Sequence, residues 1–186
     1  MIRQLVGLLV AASLASCGVE GPVAPASAVQ ATAESDYRLG TGDKLRISLY
    51  GDESFGGEFE VGSDGAISLP LIGAVPAAGL TEAELRTRIE QKLADGYYRT
   101  PRITAEVIEF RPFYILGEVN RPGVYPYVSN LTLAQAVATA GGYTYRANSR
   151  VVAIKRAREE QEVRVQSDQA LRIQPGDTIR VLERRF

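Results

Sequence analysis

Two stretches of the chain follow the same order of strand, turn, strand and short helix, and this repetition is the strongest constraint on the fold. In each stretch a capping box begins the helix, with Thr81 followed by Glu84 and Thr132 followed by Gln135. The threonine oxygen of this motif accepts an amide proton that the first helical turn leaves unpaired, while the Glu or Gln side chain reaches back. The pattern predicts an α+β protein built from two small domains.

Alternating apolar residues indicate the strands of the first domain. They predict strands over 44–50 and 103–110, on either side of a helix that begins at Thr81. The Asp64-Gly65 pair stands between two alternating runs, which predicts a hairpin there. We place the domain boundary at Arg111-Pro112, where the strand pattern breaks.

The second domain begins with strands predicted over 114–119 and 124–128, on either side of a turn. Its helix begins at Thr132 and ends at Gly141-Gly142, since glycine commonly follows the last helical turn. Further short strands are predicted over 151–155, 163–165 and 178–182.

Residues 39–47 resemble residues 173–181 of the same chain. In both segments a Gly-Asp pair, Gly42-Asp43 or Gly176-Asp177, precedes a strand with alternating apolar residues. Two copies of a turn and strand do not make a solenoid. We therefore expect only that the two domains share a similar corner.

The N-terminal residues predict a secretory leader. Arg3 and an apolar run over 5–15 are typical of a signal peptide, and the run is shorter than the roughly 20 residues of a membrane-spanning helix. The run ends in Leu14-Ala15-Ser16-Cys17, which resembles a bacterial lipobox, where cleavage leaves a lipid-modified cysteine. The alternatives are an ordinary signal peptide with an incidental cysteine, or a buried cysteine.

The lipobox interpretation makes Cys17 the lipid attachment site. Gly18 replaces the aspartate that retains many lipoproteins at the inner membrane, so we expect a protein anchored in the outer membrane and facing the periplasm. Small residues with several Pro and Ala follow, which is typical of a flexible tether. The predicted organisation is a signal peptide over 1–16, a lipid-anchored tether over 17–35, and domains over 36–110 and 111–186.

The composition excludes most catalytic chemistry. The chain has no histidine and one cysteine, which rules out histidine-dependent nucleophiles, internal disulfides and Cys or His metal clusters, and we expect no metal or cofactor. The candidate acids of a glycan hydrolase are Asp43, Asp64, Asp177 and Glu118. Each of the three aspartates stands beside a glycine at a predicted turn, where such a side chain caps its own backbone. We assign no catalytic residue.

The aromatic residues include nine tyrosines and no tryptophan. A tyrosine ring can pack against a sugar, but tyrosines in short strands more often belong to a core or an interface. The candidates for glycan contact are Tyr97, Tyr98, Tyr143 and Tyr145.

The formal net charge of -1 conceals two domains of opposite sign. Residues 36–110 carry 8 basic and 13 acidic side chains, whereas residues 111–186 carry 12 and 7. This balance does not indicate binding to nucleic acid. It fits two solvated surfaces, two domains that attract each other within the chain, or a head-to-tail contact between subunits. Domains of about 75 residues bury little surface alone, which favours an oligomer.

The first domain resembles the export domain of the bacterial polysaccharide export family. The matching segments are Tyr37-Arg38-Leu39-Gly40-Thr41-Gly42-Asp43, residues 64–73, and Gly79-Leu80-Thr81. The motif residues are Gly42, Asp43, Asp64, Gly65, Pro70 and Gly73.

The second domain resembles a soluble-ligand-binding β-grasp (SLBB) domain. The matching segments are residues 117–125, 140–142 and 175–177. The motif residues are Gly117, Glu118, Pro122, Gly123, Gly141, Gly142, Gly176 and Asp177.

The resemblance to Wza-like export lipoproteins implies a noncatalytic, ring-shaped homo-oligomer through which capsular polysaccharide or exopolysaccharide crosses the periplasm and outer membrane. It implies an inner-membrane polysaccharide co-polymerase as partner. The sequence stops after the strand over 178–182, without the further β-grasp domains and C-terminal amphipathic helix of long members, so we expect a short form. The alternative is a monomeric periplasmic lipoprotein that binds a glycan or a partner without forming a conduit.

Overall fold

The computed structural model of the protein describes residues 22–27, 37–168 and 170–184. The predicted signal peptide, Cys17 and most of the predicted tether lie outside these residues. Two α+β domains follow one another, which confirms the predicted fold class. The first comprises β1 (Lys44–Leu49), β2 (Asp52–Glu60), β3 (Ala66–Leu69), β4 (Gly73–Pro76), α1 (Glu82–Ala94) and β5 (Ile103–Glu109).

The first domain packs α1 against an antiparallel sheet of order β2-β1-β5. Leu45, Ile47 and Leu49 alternate with exposed or half-buried residues along β1 and are buried. The capping box at Thr81 is present as predicted, and the buried side chains of α1 recur at helical spacing. Removing these apolar faces from water supplies most of the driving force for folding the domain.

The hairpin predicted at Asp64-Gly65 is wrong. The chain does turn there, with the Gly65 amide 2.9 Å from the Gly62 carbonyl oxygen, but β2 pairs with β1 and β3 pairs with β4. Short connections favour pairing: residues 50–51 alone join β1 to β2 and residues 70–72 alone join β3 to β4, whereas five residues separate β2 from β3. The turn at Asp64 therefore leads from one sheet into another.

The second domain is a five-stranded mixed sheet of order β7-β6-β10-β8-β9 with one helix. β10 lies parallel to β6 and antiparallel to β8, so the last strand occupies the centre of the sheet. The helix begins in the predicted capping box at Thr132 and contributes to the core. The bounds are β6 (Phe113–Gly117), β7 (Gly123–Tyr125), α2 (Leu133–Thr139), β8 (Ala147–Lys155), β9 (Val163–Gln166) and β10 (Thr178–Glu183).

A short piece of the predicted tether lies on the edge of the second sheet. The amide of Ala24 donates to the carbonyl oxygen of Arg164 at 2.8 Å, and the amide of Gln166 donates to the carbonyl oxygen of Ala24 at 3.1 Å. Ala24 and Ala26 also pack against the core of the second domain. Main-chain bonds to an edge strand need no side-chain pattern, which is why no alternation of apolar residues marks this segment in the sequence.

Within the described ranges, neither helix combines the length and the apolar character that crossing a membrane requires.

Candidate functional site

Asp43 lies in the turn before β1 and is fully buried. Its Oδ2 accepts hydrogen bonds from the Gly40 amide at 2.7 Å and from the Tyr37 hydroxyl at 2.5 Å. The bond to Gly40 agrees with the predicted role of this aspartate as a turn cap. Capping alone would leave a buried negative charge without a counter-charge, which is unfavourable in a protein interior.

Arg111 supplies that counter-charge from the boundary between the domains. Its amide donates to Oδ1 of Asp43 at 2.9 Å, and its Nη1 lies 3.0 Å from Oδ2. Its Nε donates to the Pro175 carbonyl oxygen at 3.2 Å, in the corner of the second domain. We call Tyr37, Asp43, Arg111 and Pro175 the interdomain joint, because Arg111 connects the corners of both domains.

Two glycines leave the space that the Arg111 guanidinium occupies. A Cβ on Gly40 would lie 2.7 Å from Cζ of Arg111, and a Cβ on Gly176 would lie 2.7 Å from its Nε. Both distances are shorter than any ordinary contact. Because Gly40 and Gly176 have no side chain, the Arg111 side chain fits between the two corners and contacts both.

Aromatic side chains cover the joint. Phe110 packs edge-on against Tyr37 and Tyr127, with ring centroids 5.0 and 5.4 Å apart. Burial, with the hydrogen bond to Asp43, raises the pKa of Tyr37 far above its usual range, so its hydroxyl remains a donor. Arg158 donates to the Leu39 carbonyl oxygen at 3.4 Å, a further polar contact from the basic domain to the acidic one.

Asp177 repeats the Asp43 corner in the second domain. It is fully buried, its Oδ2 accepts from the Gln174 amide at 2.8 Å, and it forms an ion pair with Arg156. In each corner the aspartate amide donates at 3.1 Å to the carbonyl oxygen three residues earlier. The predicted similarity of the two corners is thereby confirmed. Among the residues that the structure describes, Oδ1 of Asp177 has no hydrogen-bond partner, unlike that of Asp43.

Burial raises the pKa of Asp177 from 3.8 to about 6, against the opposing attraction of Arg156. Between pH 3.8 and about 6, Asp177 is therefore protonated in the folded protein and ionised in the unfolded chain. The stability that this proton contributes is complete below pH 3.8 and is lost as the pH rises through about 6. We expect the unfolding free energy of the wild type, minus that of Asp177→Asn, to fall by about 3 kcal/mol as the pH rises over that interval. Urea denaturation at pH 4 to 7 measures it, and a difference that grows with pH would mean that the ion pair outweighs desolvation.

The outer face of the first sheet carries acidic side chains on both sides of each basic one. The register aligns Glu60, Lys44 and Glu109 in one row across the three strands. A second row contains Glu58, Arg46 and Glu106. Ion pairs join one acid in each row to the central base, Lys44–Glu109 at 2.7 Å and Arg46–Glu58 at 2.8 Å. The other acid in each row leaves the face negative.

The outer face of the second sheet is basic and concave. The register places Ala153 directly between Arg180 on β10 and Arg164 on β9. The small alanine forms the floor of an open groove of about 1160 Å³. We call this surface the arginine groove, and its basic lining residues are Arg150, Arg164, Arg180 and Arg184.

The motif residues of the first domain do not form one cluster. Gly42 and Asp43 belong to the buried corner, whereas Asp64 is exposed and accepts the Ala66 amide at 3.0 Å. Gly65 and Pro70 lie in the turns before and after β3, and Gly73 is the first residue of β4.

The motif residues of the second domain gather at two places. Gly176 and Asp177 form the buried corner. The others surround the turn after β6 and the end of α2, where the Asn120 amide donates to the Gly142 carbonyl oxygen at 3.0 Å. Glu118 there accepts the Thr144 hydroxyl at 2.5 Å. This second group contains Gly117, Glu118, Pro122, Gly123, Gly141 and Gly142.

The candidate tyrosines lie in different domains. Tyr97 and Tyr145 are exposed, while Tyr98 donates to Asp52 at 2.5 Å and is half-buried. Tyr143 lines a small apolar pocket of about 220 Å³ beside α2. Their contact with a glycan stays a prediction.

Reasoning from the sequence missed the arginines of both corners. In the sequence Arg111 marks only a break in the strand pattern, and no motif singles out Arg156. The repeated Gly-Asp pair was the available signal, because a buried aspartate needs a counter-charge. Across the residues that the structure describes, no three Cys, Asp or Glu side chains lie close enough together to hold a metal ion.

Comparison with known proteins identifies both domains. Residues 31–108 match the family described as polysaccharide biosynthesis/export protein, and residues 112–166 match the SLBB domain. The exopolysaccharide production protein ExoF of Rhizobium meliloti is 36% identical over 129 residues, which are 63% of this chain and 31% of ExoF.

Two further relatives have names that refer to polysaccharide transport. The polysialic acid transport protein KpsD of Escherichia coli is 31% identical over 109 residues, 58% of this chain and 20% of KpsD. The EPS I polysaccharide export outer membrane protein EpsA of Ralstonia nicotianae is 32% identical over 143 residues, 62% of this chain and 37% of EpsA. The chain thus spans well under half the length of each of these relatives. The two matches follow one another in chain order, so the chain carries a domain of the polysaccharide biosynthesis/export protein family followed by an SLBB domain.

Proposed function

We propose that the protein is a noncatalytic component of a capsular polysaccharide or exopolysaccharide export system. The observation that carries this proposal is the export-family domain joined to an SLBB domain through Arg111, whose side chain is 15% exposed. Arg111 contacts both corners, so the two domains keep a fixed relation at the joint. Two domains held together in this way would suit a scaffold along which a polysaccharide passes.

Deletion of the gene tests the export role. Surface polysaccharide should disappear while the cell still makes the repeat units, and a plasmid copy should restore the surface polymer. Loss of the repeat units as well would indicate a role in synthesis. Normal surface polysaccharide in the deletion strain would contradict the proposal.

The assembled form in this proposal is a homo-oligomeric ring. Support comes from the small size of each domain and from the acidic rows on the first sheet, which suit a head-to-tail contact with a basic surface of the next subunit. Native mass spectrometry in detergent should give one closed oligomer that loosens as salt rises. Assembly unaffected by salt would contradict the electrostatic contact. A persistent monomer at high concentration would favour the alternative, a glycan- or partner-binding lipoprotein.

The proposed location is the periplasmic side of the outer membrane, with the lipid on Cys17 as anchor and an inner-membrane co-polymerase as partner. The name of EpsA, an outer membrane export protein, supports this location. Cys17→Ser should abolish incorporation of labelled palmitate and release the protein into the soluble periplasm. Unchanged labelling would contradict Cys17 as the attachment site.

A further inference from the structure

The hairpin of β3 and β4 turns through a strained connection. Residues 70–72 join the two strands, and the Ile72 amide donates to the Pro70 carbonyl oxygen at 2.7 Å. Leu71, between these two residues, has φ +64°. A three-residue turn with positive φ at its centre is rare and strained. In the part of the chain that the structure describes, Asn130 is the other non-glycine residue with positive φ, and asparagine tolerates this conformation.

The strained turn presents an apolar side chain to solvent. Leu71 is 56% exposed, whereas its neighbour Ile72 is half-buried and packs against the core of the first domain. A single exposed leucine is common on protein surfaces, but an exposed leucine on strained backbone is not. Backbone strain of this kind clusters where it serves a function. The turn belongs to the motif segment 64–73, yet it takes no part in the interdomain joint.

A small apolar pocket in the second domain can accept such a side chain. It lies beside α2 and measures about 220 Å³, less than the roughly 300–1,000 Å³ of pockets that hold small-molecule ligands. Small residues line it, namely the exposed Ala134 and Ala138 together with Gly142, and so do the buried Leu133 and Val137. None of the described residues that line it is charged. The pocket therefore suits one apolar side chain.

We propose that Leu71 of one subunit inserts into this pocket of the next subunit. The inference rests on the homo-oligomer of the proposed function and names its contact. Since Leu71 is exposed, it does not fill the pocket of its own chain. The first domain has an excess of acidic side chains and the second an excess of basic ones, which favours the approach of unlike domains from different subunits. Because the leucine and the pocket lie on different domains, the contact repeats from head to tail.

Insertion gives the strained turn an energetic reason. Burial removes the Leu71 side chain from water, and this gain offsets the strain of the turn only when a neighbouring subunit is present. Side chains that fill a pocket on the partner contribute a large share of the binding free energy of an interface. Loss of this one side chain should therefore weaken assembly strongly.

Leu71→Asn tests the insertion without adding strain, because asparagine tolerates a positive φ. The dissociation constant of the assembly should rise by about tenfold or more, measured by sedimentation velocity in detergent over a range of concentrations. The melting temperature of the dissociated protein should not fall. Val124→Asn is the matched control, since Val124 is apolar and 59% exposed on the second sheet, and its assembly should stay close to that of the wild type.

A disulfide between subunits tests the contact directly, including the case in which Leu71→Asn fails to fold. Cys17 is the one cysteine of the chain, so a Cys17→Ser background leaves only introduced thiols. In that background, protein with both Leu71→Cys and Ala138→Cys should form a ladder of linked oligomers on oxidation, because a disulfide needs Cα atoms about 4.4–6.8 Å apart. Protein with Val124→Cys and Ala138→Cys is the matched control and should form none.

Two results would overturn the contact and leave the ring standing. They are wild-type assembly that Leu71→Asn does not weaken, as expected if the leucine binds a different protein, and a double-cysteine variant that forms no ladder. Linked dimers of Leu71→Cys alone would pair the two leucines with each other and also overturn it. A wild type that stays monomeric overturns both the contact and the ring. The export role is tested separately, by the deletion strain.

Discussion

Arg111→Leu should lower the free energy of unfolding by about 3–5 kcal/mol, the range for removing one partner of a buried ion pair. The substitution leaves Asp43, which is fully buried, with a negative charge and no cation. It also removes the bond from Nε to the Pro175 carbonyl oxygen, which connects the two domains. Urea denaturation measures the loss, and limited proteolysis should show cleavage near residues 110–112 at lower protease concentrations.

Arg38→Leu is the matched control for this experiment. Arg38 pairs with Glu84 at 3.2 Å, but its side chain is 43% exposed. Exposed pairs contribute about 0–1 kcal/mol, so this variant should remain close to the wild type. Arg111→Lys should fall between the two, because it keeps the charge but lacks the forked donors that bind both corners.

A double-mutant cycle separates the ion pair from lost packing. Asp43→Asn removes the charge that Arg111 compensates, so Arg111→Leu should cost less in that background than in the wild type. Equal costs in both backgrounds would mean that Arg111 stabilises the joint through packing alone. That result would contradict the role assigned to the ion pair.

Much of the fold was predictable because its signals are local. The capping boxes at Thr81 and Thr132 and the alternation along β1 involve residues close in sequence, and all three are present. The pairing of β3 was not predictable, because a turn residue such as Asp64 indicates a change of direction but not which strand the next one pairs with. The choice depended on the shorter connections on either side, at residues 50–51 and 70–72, which pair β2 with β1 and β3 with β4.

The surfaces and the joint depend on contacts between residues distant in sequence. Arg111 and Asp43 are separated by 68 residues, and no local pattern connects them. Arg164, Ala153 and Arg180 share a row only because β10 lies between β6 and β8 in the folded sheet. The sequence could therefore indicate that the second domain is basic but not where its charges lie.

Gly117→Ala should be among the most destabilising substitutions in the second domain, costing about 3 kcal/mol or more. Gly117 has φ +87°, a conformation that a residue with a Cβ adopts only with strain of about 1–2 kcal/mol. An added Cβ would also overlap the Val181 carbonyl oxygen and lie 3.1 Å from its carbon. That oxygen accepts the Glu118 amide at 3.0 Å, where β6 meets β10 in the middle of the sheet. The strands must separate or the bond must break.

Gly51→Ala distinguishes the steric effect from backbone strain. Gly51 has φ +86°, but an added Cβ there would meet nothing within 4 Å. Strain alone should therefore cost about 1 kcal/mol in this variant. Thermal unfolding and urea denaturation of both variants give the comparison, with the difference between them as the cost of separating β6 from β10. Equal losses in the two variants would mean that the sheet accommodates the added Cβ beside Val181 at no cost. That result would contradict the close packing of β6 against β10.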